Sequence, residues 1–256
     1  MSLTNEDNTL KLMKGTPVLI DDICAVYSPT VGEIVELGYS NFLEYISIIT
    51  SSIPSAKKIK DKELIKVLED LTDFQYLIFL QFSDPVINSK AKEAFRFFLH
   101  DNVTFSLSPA QIIIGPLEEK HIMTEEVFYR FRKLVKQIAF MEHGEEEIII
   151  HADDSRRVKS LKRKMIEGRE ARRIAKAKKA AKEKTSLNFS DLIGSITINH
   201  CGLNILNVWD ATYYGIQDQL ERMGWRDQSD TNTKAALAGA KIDKKDLKHW
   251  IRSMTE

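Results

Sequence analysis

The segment from Arg156 to Lys184 constrains this chain more than any other. It holds 14 Lys or Arg against 3 Asp or Glu, no proline and a single glycine, Gly168. The rest is Ala, Leu, Met, Ile and similar residues that favour a helix. Continuous, such a helix runs about 45 Å at 1.5 Å rise per residue. Its apolar residues, Val158, Leu161, Met165 and Ile174, make only a thin seam, too narrow for an ordinary core helix. The acidic residues Asp153 and Asp154 ahead of it suit a helix N-terminus on dipole grounds.

The formal net charge of the 256 residues is zero, and that average hides a division. The basic segment carries +11, and the remainder has 23 basic and 34 acidic residues, or −11. Such asymmetry bears on partners and association rather than on fold. Three readings of the segment stay open: a solvated connector, a surface docking on acid-bearing protein, and a nucleic-acid contact. Cationic density would attract phosphates. Against that, no aromatic residue lies between Arg156 and Lys184, and no second element of a base-reading motif accompanies it. The candidate partner-binding residues are Arg156, Arg157, Lys162, Arg163, Arg169, Arg172, Arg173 and Lys176.

Even with the basic segment counted, the composition is that of a folded chain, with 43% hydrophobic residues, 12 Phe and 7 Tyr. Thr16–Tyr27 reads as one or two short strands, stopped by Ser28-Pro29-Thr30. Thr30 and Glu33 have capping-box spacing. The helix they open continues through Ile34, Leu37, Phe42, Tyr45, Ile46 and Ile49. A second helix is expected over Asp61–Gln81. Asp84-Pro85 opens a third, reaching about His100. Val103–Leu107 and Gln111–Gly115 around Ser108-Pro109 predict a hairpin. Thr124-Glu125-Glu126 caps a helix through Phe128, Phe131, Leu134, Val135, Ile138 and Met141, ended by Gly144. Glu145–Ile150 is a short strand or a linker.

Beyond the basic segment, a helix is expected over Leu187–Ile198, with an exit at His200-Cys201-Gly202. Another is capped by Asn207, carries Trp209, Tyr213, Ile216, Leu220 and Met223, and ends at Gly224. A short one spans Asp230–Ala240, and Asp243 caps the last. The expected fold is therefore mainly α with a minor β hairpin. It divides into an α-rich N-terminal domain over 1–152, a basic helical connector over 153–186 and a small all-α C-terminal domain over 187–256.

Motifs that carry chemistry are missing from the sequence. There is no phosphate-binding glycine loop, dinucleotide turn, nucleophile elbow or paired-histidine zinc helix. His143 near Glu145 and Glu147, and His151 near Asp153 and Asp154, are more simply solvated loop charge than a metal site. The carboxylate pairs Asp21-Asp22, Glu118-Glu119 and Glu125-Glu126 come with no sign of a pKa-perturbing cleft. Cys24 and Cys201 read as reduced thiols rather than a disulfide. Trp209, Tyr213 and Tyr214 could stack on bases, but their helical spacing favours a buried face. No catalytic residue, cofactor site or metal site is expected. No apolar run spans a bilayer, and Met1–Thr9 lacks the character of a signal peptide, so a cytoplasmic protein is expected.

Two groups of stretches carry a family resemblance. The first is KLMKGTPVLI from Lys11 to Ile20, YSPTVGEIVELGY from Tyr27 to Tyr39, and FLEYI from Phe42 to Ile46. The second is VWDATYYGIQDQLER from Val208 to Arg222, AALAGAK from Ala235 to Lys241, and LKHW from Leu247 to Trp250. Together they resemble tail assembly chaperones from the tail-morphogenesis clusters of phages and prophages of Gram-positive bacteria. That resemblance implies a non-enzymatic helper in the host cytoplasm. It would bind the tape-measure protein, and tail-tube subunits as a further partner, before the tail polymerises; self-association is a further expectation. The alternatives are a nucleic-acid-binding or packaging accessory protein acting through the basic helix, and a structural tail or baseplate component.

Overall fold

The fold was obtained as a computed structural model, which describes residues 5–53, 67–68, 70–116, 120–141, 148–151, 153–182, 188–199 and 202–242. The fold is mainly α, as expected, with two small antiparallel sheets. A helix not foreseen in the sequence opens it: α1 (Asn5–Lys14) has Glu6 and Asp7 in its first turn and Lys11 and Lys14 in its last, matching the helix dipole at both ends. The one or two short strands expected in Thr16–Tyr27 are two, β1 (Val18–Ile20) and β2 (Cys24–Val26), paired as a hairpin.

Thr30 caps α2 (Val31–Leu37) with the full reciprocal box: its Oγ1 accepts from Glu33 N, and Glu33 Oε2 accepts from Thr30 N at 2.7 Å. The single helix expected beyond it is two. Gly38, at φ 89°, breaks the run and α3 (Tyr39–Thr50) starts anew. The break lets Phe42, Tyr45, Ile46 and Ile49 face the core at a fresh angle. The expected helix over 61–81 is likewise interrupted. Leu71 and Thr72 are not helical, and α4 (Asp73–Ser83) begins at a second capping box, Thr72 with Gln75. Residues 61–66 lie outside the described residues.

α5 (Pro85–Leu99) begins as expected, with Asp84 Oδ1 accepting from Val86 N at 2.8 Å, and ends where His100 turns left-handed at φ 54°. The hairpin β3 (Val103–Leu107) and β4 (Ala110–Ile114) gains a third strand, β5 (His121–Met123), too short to show a period in the sequence. α6 (Glu125–Ile138) stops earlier than expected, at Ala139, with Phe140 at φ 52°. Thr124 precedes it without a side-chain cap bond. Gly144 and residues 145–147 lie outside the described residues, and 148–150, the rest of the expected strand or linker, form no strand.

The core is aromatic. Phe42, Phe95, Phe98, Phe128 and Phe131 are fully buried, with ring pairs such as Phe95–Phe131 at 5.1 Å and Phe74–Phe128 at 5.4 Å. A buried ion pair crosses it: Arg132 Nη1 donates to Asp73 Oδ2 at 2.9 Å, and Arg132 Nη2 donates to Thr50 O and Ser52 Oγ.

α7 (Arg156–Lys182) follows, then α8 (Phe189–Asn199), a 3-10 turn (Val208–Asp210) and α9 (Tyr213–Leu237). α9 departs from expectation. Thr212, not Asn207, caps it, and it runs straight through Gly224 where two helices were expected. An interior glycine costs only about 1 kcal/mol, and polar helix formers on both sides outweigh it. The helix expected after Asp243 lies outside the described residues.

Packing crosses the expected boundary at 187. Phe189 stacks on Tyr39 at 4.4 Å, Tyr213 meets Phe42 edge-on at 5.0 Å, and Tyr214 meets Phe140 at 5.0 Å. A second apolar cluster of Ile193, Ile196, Val208 and Ile216 takes Val31 of α2 as its fifth member. Among the described residues, no helix is long and apolar enough to cross a membrane.

Candidate docking arm

α7 is a continuous helix through Gly168, as its composition predicts, and its first turns are fastened. Ser155 Oγ accepts from Val158 N at 3.4 Å at its start. Asp154 Oδ2 accepts from His151 N at 2.9 Å and from Lys162 Nζ at 2.6 Å, so the carboxylate expected to complement the helix dipole holds a lysine two turns on. That lysine hydrogen bond, against a smaller desolvation effect, holds the Asp154 carboxyl below its ordinary value.

The second fastening is to the body. Residues 67, 68 and 70 are helical, and that turn ends at Leu71. Its last carbonyls carry the negative end of the helix dipole and have no partner within their own helix. Arg163 Nη2 donates to Leu68 O at 3.1 Å and Leu71 O at 3.5 Å, and Lys159 Nζ donates to Asp70 O at 3.4 Å. Lys159 is 6% exposed, the most buried of the described side chains of the arm. Arg156 reaches Asp70 Oδ2 only at 3.5 Å, with both side chains in solvent, and such a pair contributes little.

The predicted partner-binding residues therefore divide. Lys162 and Arg163 are spent within the chain. Arg156, Arg157 and Arg172 are exposed, and Arg169 is half-buried and engaged. The side chains of Arg173 and Lys176 lie outside the described residues. Lys159 escaped the sequence-based selection, and its signal was there: it lies one turn before Arg163, and the two share a face. Val158, Leu161 and Met165, the thin seam, are exposed at 40%, 60% and 48%.

The aromatic cluster is not an open stacking platform. Tyr213 and Tyr214 are buried, as their spacing predicts, and burial pushes the Tyr213 hydroxyl above its usual value. Trp209 departs from that expectation. It sits in the 3-10 turn before the helix, 37% exposed, with Nε1 donating to Ile205 O at 2.7 Å.

Comparison with known families bears on the chain from inside α7 onward. Residues 178–255 match the family model of the YomV second domain, a domain of phage origin. The likeness is to a phage-associated domain and covers this segment alone. No curated protein and no solved structure matches the chain. The match begins near the end of α7 and takes in α8, the 3-10 turn and α9, so the arm leads directly into the matched segment. Nearly all of the second apolar cluster belongs to it, and only Val31 comes from outside.

Proposed function

We propose that the protein is a non-enzymatic phage tail assembly chaperone, acting in the host cytoplasm on the tape-measure protein, the tail-tube protein or both. The observation that carries this reading is the arm. α7 is fastened through Lys159, Lys162 and Arg163 and presents further cations and an apolar seam to solvent, next to a phage-derived domain. A chaperone for a long helical partner needs adjustable, steered contacts, and an exposed cationic helix supplies them. The resemblance of Lys11–Ile46 and Val208–Trp250 to tail assembly chaperones agrees with this setting.

The test is affinity capture of the full chain from cells in which the phage genes are induced. The expected result is co-capture of the tape-measure or tail-tube protein, and absence of the chain from purified virions. Its presence in virions at fixed stoichiometry would favour a structural tail component. The +11 of the arm gives a nucleic-acid accessory role its one supporting observation. Tight DNA binding, abolished by neutralising the arm and unaccompanied by any tail protein, would establish that role instead.

A further inference from the structure

We infer that the outward face of α7 is a docking seam for an amphipathic helix of another protein whose flanks are acidic. The inference rests on the reading of α7 as a docking arm, but not on the identity of its partner.

The geometry sets the face. Lys159 and Arg163, one turn apart, point at the carbonyls of Leu68, Asp70 and Leu71 and fix which side of α7 meets the body. At about 100° per residue, Leu161 lies on the opposite side, with Val158 and Met165 one turn away in either direction. These three are the exposed apolar residues described above, and their spacing of three and four is that of a two-helix seam. Gly168 continues the seam, and a Cβ built there meets nothing within 4 Å. The exposed cations Arg157, Lys164 and Arg172 lie along or beside the same stripe.

Charge selects the occupant. A second copy of this chain, seam against seam, would bring these cations together and repel. Nucleic acid would use the cations and leave Leu161 and Met165 with nothing to cover them, since they face no base-reading element. A lipid surface would take a wider apolar face with aromatic residues, and α7 has no aromatic residue and only a narrow seam. A helix with its own apolar stripe and Glu or Asp at the flanking positions satisfies both features at once.

The probe is a synthetic heptad-repeat peptide with Leu at its core positions and Glu at its flanks, titrated into the full-length protein. The Lys-flanked peptide, duplex DNA and anionic phospholipid vesicles are run in parallel. The expected result is binding of the Glu peptide that weakens with salt. It should fall about tenfold or more in Leu161→Ser/Met165→Ser, whose exposed side chains carry no part of the core. Arg157→Gln/Lys164→Gln/Arg172→Gln should weaken binding and flatten its salt dependence. The inference is overturned if the Glu peptide does not bind, if the Lys-flanked peptide binds equally well, or if the Ser variant binds like wild type. Vesicle binding that depends on Leu161 and Met165 would overturn it in favour of a membrane role. Loss of the chaperone reading would show elsewhere, as affinity capture without any tail protein while the Glu peptide still binds.

Discussion

Thr30 and Thr212 pair in an antiparallel bridge, and each is the N-cap of the helix that starts beside it. Val31 N donates to Ala211 O at 2.9 Å and Tyr213 N donates to Pro29 O at 2.8 Å, so α2 and α9 begin from one shared bracket. Thr212 Oγ1 also donates to Met13 O and accepts from Gly215 N. The segment that matches the family model is thereby tied to the last turn of α1. Thr212→Ala removes the cap and the bond to Met13 together, and should cost about 1–2 kcal/mol. Urea unfolding checks it, with a lower midpoint and an unchanged slope.

The Arg132–Asp73 pair should be far more sensitive. Their side chains are 4% and 2% exposed, and Asp73 also accepts from Ile53 N at 3.1 Å. Arg132→Met strands a buried carboxylate and should cost about 3–5 kcal/mol. Arg132→Met with Asp73→Asn should be less destabilised than the two single changes added together, because no uncompensated charge remains. Thermal unfolding of the three variants measures this.

Gly32 faces the 3-10 turn at close range: a Cβ there would lie 3.1 Å from Trp209 O. Backbone on both sides leaves little room to give. Gly32→Ala should destabilise by about 1 kcal/mol and Gly32→Leu by more, through overpacking of the α2 contact. A rise in Trp209 fluorescence quenching by iodide, at unchanged overall helicity, would locate the damage.

Burial pushes the Cys24 thiol up to about 12, with Arg130 opposing the shift and Asp21 adding to it. Only a trace of thiolate exists at pH 8, and the thiolate is the nucleophile. Alkylation of Cys24 by iodoacetamide should be slow in the folded protein and rapid in urea, as read by peptide mass spectrometry. Fast labelling of the folded chain would contradict the burial.

The fastening of the arm should depend on pH in one direction. The Asp154 carboxyl is held below its ordinary value of 3.8. Its contribution is complete above that value and is lost as pH falls through the lower, folded one. Amide exchange over residues 156–163 should show no pH-specific loosening down to about 3.8, and loosening below it. Lys159→Ala/Arg163→Ala should loosen the same amides at neutral pH while shifting the global unfolding midpoint little, since the bonds sit at the edge of the fold.

Most helices and the hairpin were legible because they rest on local signals. Thr30 with Glu33, Asp84 with Pro85, and the alternation in Val103–Leu107 each specify an element within a few residues. The misses have tertiary causes. Gly38 and Gly224 look alike in sequence, yet one breaks a helix at φ 89° and the other is carried through the interior of α9. The residues after Gly38 form a buried face, Phe42, Tyr45, Ile46 and Ile49, whereas no buried residue of α9 follows Gly224. Thr72 with Gln75 is a capping box that the longer apolar stripe of 61–81 masked. For the arm, composition dictated a helix and its charge. Which cations are spent on the carbonyls of Leu68, Asp70 and Leu71 depended on contacts about 90 residues apart in sequence.

The most direct measurement is affinity capture of the wild-type chain, and of a variant with Arg157, Lys164 and Arg172 changed to Gln, from induced cells, with captured proteins identified by mass spectrometry. The account predicts the tape-measure or tail-tube protein in the wild-type sample and its depletion in the variant. Recovery of neither protein with the wild-type chain, or equal recovery with both chains, would contradict it.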